Sequence, residues 1–171
     1  MSKILIAYAT AAGSTGEVAE AIAKTLRESG ATVDVRRAQD STDLSGYDAV
    51  VLGSGVRAGR TYAEAAQFLA AHGPALRQMP VAGFIVCLAV KDREEPGCPE
   101  AEGYLDAMFA QVEGVEPVSK GLFAGAVDYG KLPWLLGLIL KRLKKEPGGD
   151  YRDWAAIEAW ASALPSALTA P

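Results

Sequence analysis

The residues richest in chemistry lie together near the start of the chain, in Thr10-Ala11-Ala12-Gly13-Ser14-Thr15-Gly16-Glu17. An apolar run precedes them and a helical pattern follows, so the stretch is expected to be a strand-to-helix turn. A helix start presents unpaired N–H groups and the positive end of the helix dipole, both of which favour an anion. Thr10, Ser14 and Thr15 add hydroxyl donors, and Gly13 and Gly16 let the backbone approach a ligand. The chemistry this predicts is the holding of a phosphate by amides and hydroxyls. No Lys or Arg stands in the turn. The pattern GxxxxGK followed by Ser or Thr is not met, and Gly13 and Gly16 supply only the final GxxG of a dinucleotide fingerprint. A simpler reading coexists with phosphate binding: Ser14 and Glu17 have the spacing of a capping box.

The other reactive side chains are sparse. His72 is the only histidine and precedes Gly73-Pro74 at an expected helix end, where it reads as a surface cap. No Ser/His/Asp set and no metal cluster can be assembled. Cys87 lies in an apolar run and reads as a buried small residue, whereas Cys98 precedes Pro99 in a loop that could be exposed. Their spacing makes neither a zinc site nor a CxxC pair. A disulfide between them stays open, although so few thiols without a signal peptide favour a reducing compartment.

The elements that must position these residues follow from periodicity. Residues 3–9 (KILIAYA), 48–53 and 81–88 are continuous apolar runs, the pattern of parallel strands buried on both faces. Residues 32–36 alternate, which suits an edge strand, and 121–127 form a last short strand. Helical spacing is read over 15–28, 62–77, 99–112, 132–145 and 151–164. Gly30 stops the first helix, His72-Gly73-Pro74 should interrupt or kink the second, and Pro165 should end the last. Parallel strands need crossovers, and each can be a helix. Strand–helix repetition therefore predicts an α/β doubly wound sheet with helices on both faces.

A chain of 171 residues suits a single domain, residues 1–171. Half of it is hydrophobic and 22% is charged, as in soluble globular proteins. A net charge of -4 with mixed signs excludes the basic footprint of a nucleic-acid binder. The apolar run after Lys3 is too short for a secretory leader, and Trp134 to Leu140 is too short to span a membrane. The expected location is the cytoplasm.

The turn at 10–17 resembles the flavodoxin signature, in which a Thr/Ser-rich, Gly-containing loop wraps the phosphate of FMN. Gly13 and Thr15 match it directly, while Ser14 stands where Asn is usual and Ala12 where Thr is usual. The resemblance implies a five-stranded parallel sheet in the order 2-1-3-4-5, with FMN beyond the carboxyl ends of its strands. It assigns Thr10, Ala11, Ala12, Gly13, Ser14 and Thr15 to the phosphate. Ser54, Gly55, Val56, Arg57, Ala58 and Gly59 would form one flavin wall, and Leu88, Ala89, Val90 and Lys91 the other. Thr61 with Glu64 would then cap the following helix. Neither wall carries an aromatic ring, which leaves Tyr129 and Trp134 as candidates to cover the flavin.

Further segments are similar to one branch of that family. Gly55-Val56-Arg57, the region 104–112, Phe123-Ala124-Gly125-Ala126 with Tyr129, Trp134 to Lys145 before Gly148-Gly149, and Tyr151 to Trp154 resemble the short, FMN-containing, quinone-dependent protoporphyrinogen IX dehydrogenases. The resemblance implies oxidation of protoporphyrinogen IX in haem synthesis, with electrons passing through FMN to a quinone. Arg57 and Lys91 would meet substrate carboxylates or reduced-flavin charge. Residues 132–145, apolar with Lys141, Arg142, Lys144 and Lys145 at one end, suit either an anionic membrane surface or a helix packed on the sheet. The alternative is a flavodoxin-type electron carrier with a protein redox partner and no substrate of its own. Arg57, Arg60, Lys91 and Arg93 in the expected flavin loops argue weakly against it. A fold that binds no flavin and serves as an interaction module stands behind both.

Overall fold

Six hydrophobic residues in a row, Ile4 to Ala9, make Lys3–Ala9 the first strand, β1, in the computed structural model. The structure describes residues 2–11, 13–92, 98–127, 138 and 149–169. The chain continues through α1 (Ser14–Glu28), β2 (Thr32–Arg37), β3 (Ala49–Arg57), β4 (Arg60–Thr61), α2 (Ala63–Leu76), β5 (Val81–Cys87) and α3 (Pro99–Phe109). It ends through β6 (Ser119–Ala124), β7 (Ala126–Val127), β8 (Gly149–Asp150) and α4 (Trp154–Thr169). Short 3-10 turns occupy Ala38–Asp40 and Leu88–Asp92.

The sheet runs β2-β1-β3-β5-β6, every neighbour parallel, which is the order 2-1-3-4-5 when only the parallel strands are counted. Two short strands were not foreseen: β4, which folds back antiparallel on β3, and β8, which pairs antiparallel with β7. Inner strand β5 is buried along its whole length, whereas β2, at the edge, exposes Thr32, Arg36 and Arg37. Leu5, Val50, Leu52 and Ile85 face α2 and α3, meeting Phe68, Leu69, Leu105 and Met108. Ile4, Ile6, Val51 and Phe84 face α1 and α4, meeting Val18, Ile22, Ile157 and Leu164. The Phe84 ring lies over Gly53, where an added Cβ would come within 2.0 Å of its Cζ, and it packs against Phe123 and Trp160.

Packing overrides several local signals. α2 continues through Pro74, because Leu69, Gly73 and Leu76 are buried and His72 is tied down. His72 is therefore no terminal cap: Nε2 bonds the Ser41 carbonyl oxygen at 2.8 Å, and the ring tilts against Phe68. α4 likewise runs past Pro165, since Leu164 and Leu168 on either side are buried. α3 stops at Phe109, short of 112. The strand expected at 121–127 splits: β6 ends at Ala124, the Gly125 N–H bonds the Cys87 carbonyl, and Ala126–Val127 pair with β8. Cys98 is buried rather than exposed, and both cysteines are free thiols. The helix read over 132–145 lies outside the described residues apart from Leu138, which is helical and exposed.

Candidate functional site

The turn after β1 leaves the start of α1 without a side-chain cap. Gly13 is the N-cap residue at φ 91°, a left-handed conformation that glycine adopts freely, and no side chain bonds the helix amides from that position. Ser14 is already helical, so the Ser14–Glu17 capping box does not form. Thr10 shapes the turn instead, its Oγ1 accepting from the Gly13 N–H at 3.1 Å. Thr15 is buried, Ser14 is half-buried and Ala11 is exposed. Ala12 lies outside the described residues. Among the described residues nothing lies within 4 Å of a Cβ added at Gly13, so they leave the helix mouth open. Open amides, the dipole and flanking hydroxyls together suit a phosphate.

The segment 54–60 is not the open loop expected from sequence. β3 runs on past its parallel neighbours, whose register ends at Ala9 with Ser54 and at Val86 with Gly55. Val56 and Arg57 then pair with Thr61 and Arg60 across the two-residue turn Ala58-Gly59. Both turn residues have positive φ, 50° and 74°, as a type I′ turn requires. Thr61 is therefore in β4, Tyr62 is the N-cap residue of α2, and no Thr61–Glu64 capping box forms. Buried Ser54 fixes the hairpin base: its Oγ donates to the Gly55 carbonyl at 2.8 Å and accepts from the Tyr62 N–H at 3.0 Å. Val56 leans on the core, whereas Arg57, Ala58, Gly59 and Arg60 are exposed.

Gly55 joins the turn to the hairpin. An added Cβ there would lie 3.0 Å from Thr15 Oγ1 and 3.0 Å from Tyr62 Cε2. The structure thus brings the 10–15 and 54–59 sets together at one place. The third set starts at the end of β5. Leu88, Ala89 and Lys91 are half-buried in the 3-10 turn, and Val90 enters the core. Burial pushes the Cys87 thiol up, partly opposed by backbone hydrogen bonds from Val90 and Ala89. All three segments follow the carboxyl ends of parallel strands, where open α/β sheets bind ligands.

A family model described as a flavodoxin domain matches residues 5–153. The chain belongs to the flavodoxin domain family. Its relatives include a protein of Escherichia coli (strain K12) named protoporphyrinogen IX dehydrogenase (quinone), 28% identical over 169 residues, covering 93% of this chain and 92% of that one. A protein of the same name from Leishmania major is 28% identical over 180 residues, covering 97% of this chain and 77% of that one. Among solved structures, two-electron reduced Megasphaera elsdenii flavodoxin aligns with a TM-score of 0.58 at 17% identity, covering 93% of this chain and 98% of that one. That likeness bears on the fold alone.

Two residues beside these three segments were not assigned to the candidate site from sequence. Tyr151, in the β8–α4 connection, brings its ring under Lys91, whose Nζ is 4.9 Å from the ring centroid. With Val90, Phe123 and Asp153 these residues line a cavity of about 250 Å³. Arg152 lies against the first turn of α1, ion-paired with Glu17. It also grips Asp150 with two nitrogens, at 2.8 and 2.6 Å, and covers the Trp154 ring. This fork of hydrogen bonds holds the Asp150 carboxyl well down, at about 2, and Arg152 is held more firmly protonated in turn. The turn that lacks an internal cation thus has one next to it, supplied from 135 residues away. Tyr129 and Trp134, the expected ring covers, lie outside the described residues. Among the described residues there is no group of side chains able to hold a metal, and no helix long and apolar enough to cross a membrane.

Proposed function

We propose that this flavodoxin-domain protein is an FMN-dependent oxidoreductase that oxidises protoporphyrinogen IX and passes the electrons to a quinone. The observation that carries the cofactor is the uncapped, open start of α1, joined at Gly55 to a rigid hairpin. The relatives named for the porphyrinogen reaction match nearly the whole chain, which favours that substrate over others.

Thr10, Ala11, Ala12, Gly13, Ser14 and Thr15 would hold the phosphate through backbone amides and hydroxyls. Ser54 fixes the hairpin, so the backbone from Gly55 to Gly59 meets one edge of the ring without rearrangement. Leu88 to Lys91 form the opposite wall, with Lys91 steadied over Tyr151. FMN bound between them would supply the redox chemistry. Arg57 and Lys91 place positive charge where negative charge gathers on reduction or arrives with the substrate. The sequence of 132–145, apolar with a basic end, suits contact with the bilayer in which a quinone dissolves.

The test is anaerobic turnover of FMN-loaded protein with protoporphyrinogen IX and a menaquinone analogue, followed by porphyrin fluorescence. Porphyrin formation that needs both the protein and the quinone is the expected result. Protein that exchanges electrons with a reductase but forms no porphyrin is a carrier, and the proposal fails.

A further inference from the structure

The β3–β4 hairpin accepts two costs that the stability of the fold does not explain. Arg57 and Arg60 are register partners flanking the turn, so their side chains rise from one face of the hairpin. Directly opposed residues have Cα atoms about 4.5–5.5 Å apart, and like charges there repel. Ala58 holds φ 50° in the turn between them, a conformation that costs a residue with a Cβ. Among the described residues neither guanidinium has a carboxylate partner, and both are exposed. Repulsion and strain gathered in one short, firmly anchored device point to a role for it. Arg60 also borders a groove of about 440 Å³ between the hairpin, α2 and α3, with Tyr62, Tyr104 and Met108 among its walls.

We propose that Arg57 and Arg60 form a clamp for a pair of neighbouring carboxylates on the substrate, whose apolar body lies along the groove beside Tyr62 and Tyr104. The idea rests on the porphyrinogen reading and deepens it: the two propionates of the tetrapyrrole are the carboxylates held. Paired guanidiniums match paired carboxylates in charge and in fork geometry. A neutral quinone gains nothing from them, so the hairpin distinguishes the reductant from the oxidant. An anionic ligand also removes the Arg57–Arg60 repulsion, which makes binding and the relief of that repulsion one event.

The test uses FMN-loaded full-length protein and a redox-inert probe, mesoporphyrin IX, compared with its dimethyl ester by fluorescence titration. The native protein is expected to bind the dicarboxylate about tenfold more tightly than the ester, the scale of a charge-assisted hydrogen bond. R57Q and R60Q each lose most of that preference, and the double variant loses all of it. With FMN kept saturating, ester binding should stay at its native value and the urea midpoint should not fall, which separates a clamp from a damaged fold. R57K/R60K should keep part of the preference, and salt should weaken it. Equal binding of acid and ester by native protein, undiminished preference in the double variant, or no binding of mesoporphyrin overturns the clamp. Porphyrinogen turnover without acid–ester discrimination would refute the clamp and leave the reaction standing. Discrimination without turnover would refute the reaction and leave the clamp.

Discussion

Adding one methyl group at Gly55 should loosen FMN at a modest cost to the fold. The new Cβ would sit 3.0 Å from Thr15 Oγ1 and 3.0 Å from Tyr62 Cε2, inside the 3.4 Å at which ordinary contact begins. Neither neighbour yields easily, because Thr15 is 1% exposed and the Tyr62 amide is tied to Ser54. The methyl therefore wedges the start of α1 away from the hairpin. Overpacking of this kind costs about 1–3 kcal/mol. In the free protein, Gly→Ala recovers about 0.4–1 kcal/mol by restricting the unfolded chain, so G55A should lower its stability by only about 1 kcal/mol. In the FMN complex both surfaces must close on one ligand, and a residual cost of about 1.5 kcal/mol would weaken binding by about tenfold. G53A is the control, two residues earlier on the same strand. Its Cβ would come within 2.0 Å of the fully buried Phe84 ring, so it should lower stability by about 3 kcal/mol with or without cofactor. Quenching of flavin fluorescence gives the affinity, and urea unfolding of free and loaded protein gives the stability. Native FMN affinity in G55A, or an affinity loss confined to G53A, would refute the wedge.

Two further outcomes follow from side chains near the site. Asp150 is held at about 2 against an ordinary 3.8, so it stabilises the fold above that ordinary value, and the contribution is lost as pH falls from there through about 2. The bare shift is worth about 2.5 kcal/mol, but with a side chain 49% exposed about 1 kcal/mol survives screening. D150N should therefore unfold at lower urea than native protein at pH 7, with the gap closing near the acid limit; a gap that persists there excludes this cause. Cys87 and Cys98 are 6% and 7% exposed, and burial pushes the Cys87 thiol up, so a thiol reagent should label neither before denaturant is added. Rapid labelling of native protein would show that the end of β5 is open.

What the sequence disclosed was whatever one segment can encode by itself. A strand buried on both faces must be apolar throughout, so β1 and β5 announced themselves. The first turn was legible as a strand-to-helix turn because consecutive residues build it, with Gly13 free to take the left-handed N-cap conformation. Pro74 and Pro165 misled for the opposite reason: each breaks a local rule, and burial of Leu76 and Leu168 from other parts of the chain outweighs it. The hairpin hid because Ala58-Gly59 lacks the Asn-Gly or Asp-Gly signal of a tight turn. Its strand pairing is enforced by Ser54 and Val56 beneath it. Arg152 was invisible because nothing in its neighbourhood names Glu17 as its partner.

The short β7–β8 ladder has an architectural consequence. Val127 and Gly149 are register partners, and the Tyr151 N–H bonds the Gly125 carbonyl, so the chain departs and returns at a single point beside the sheet. Every rung of the parallel sheet forms between strands that end before Val127, so the register of β2-β1-β3-β5-β6 is independent of this second, two-rung ladder.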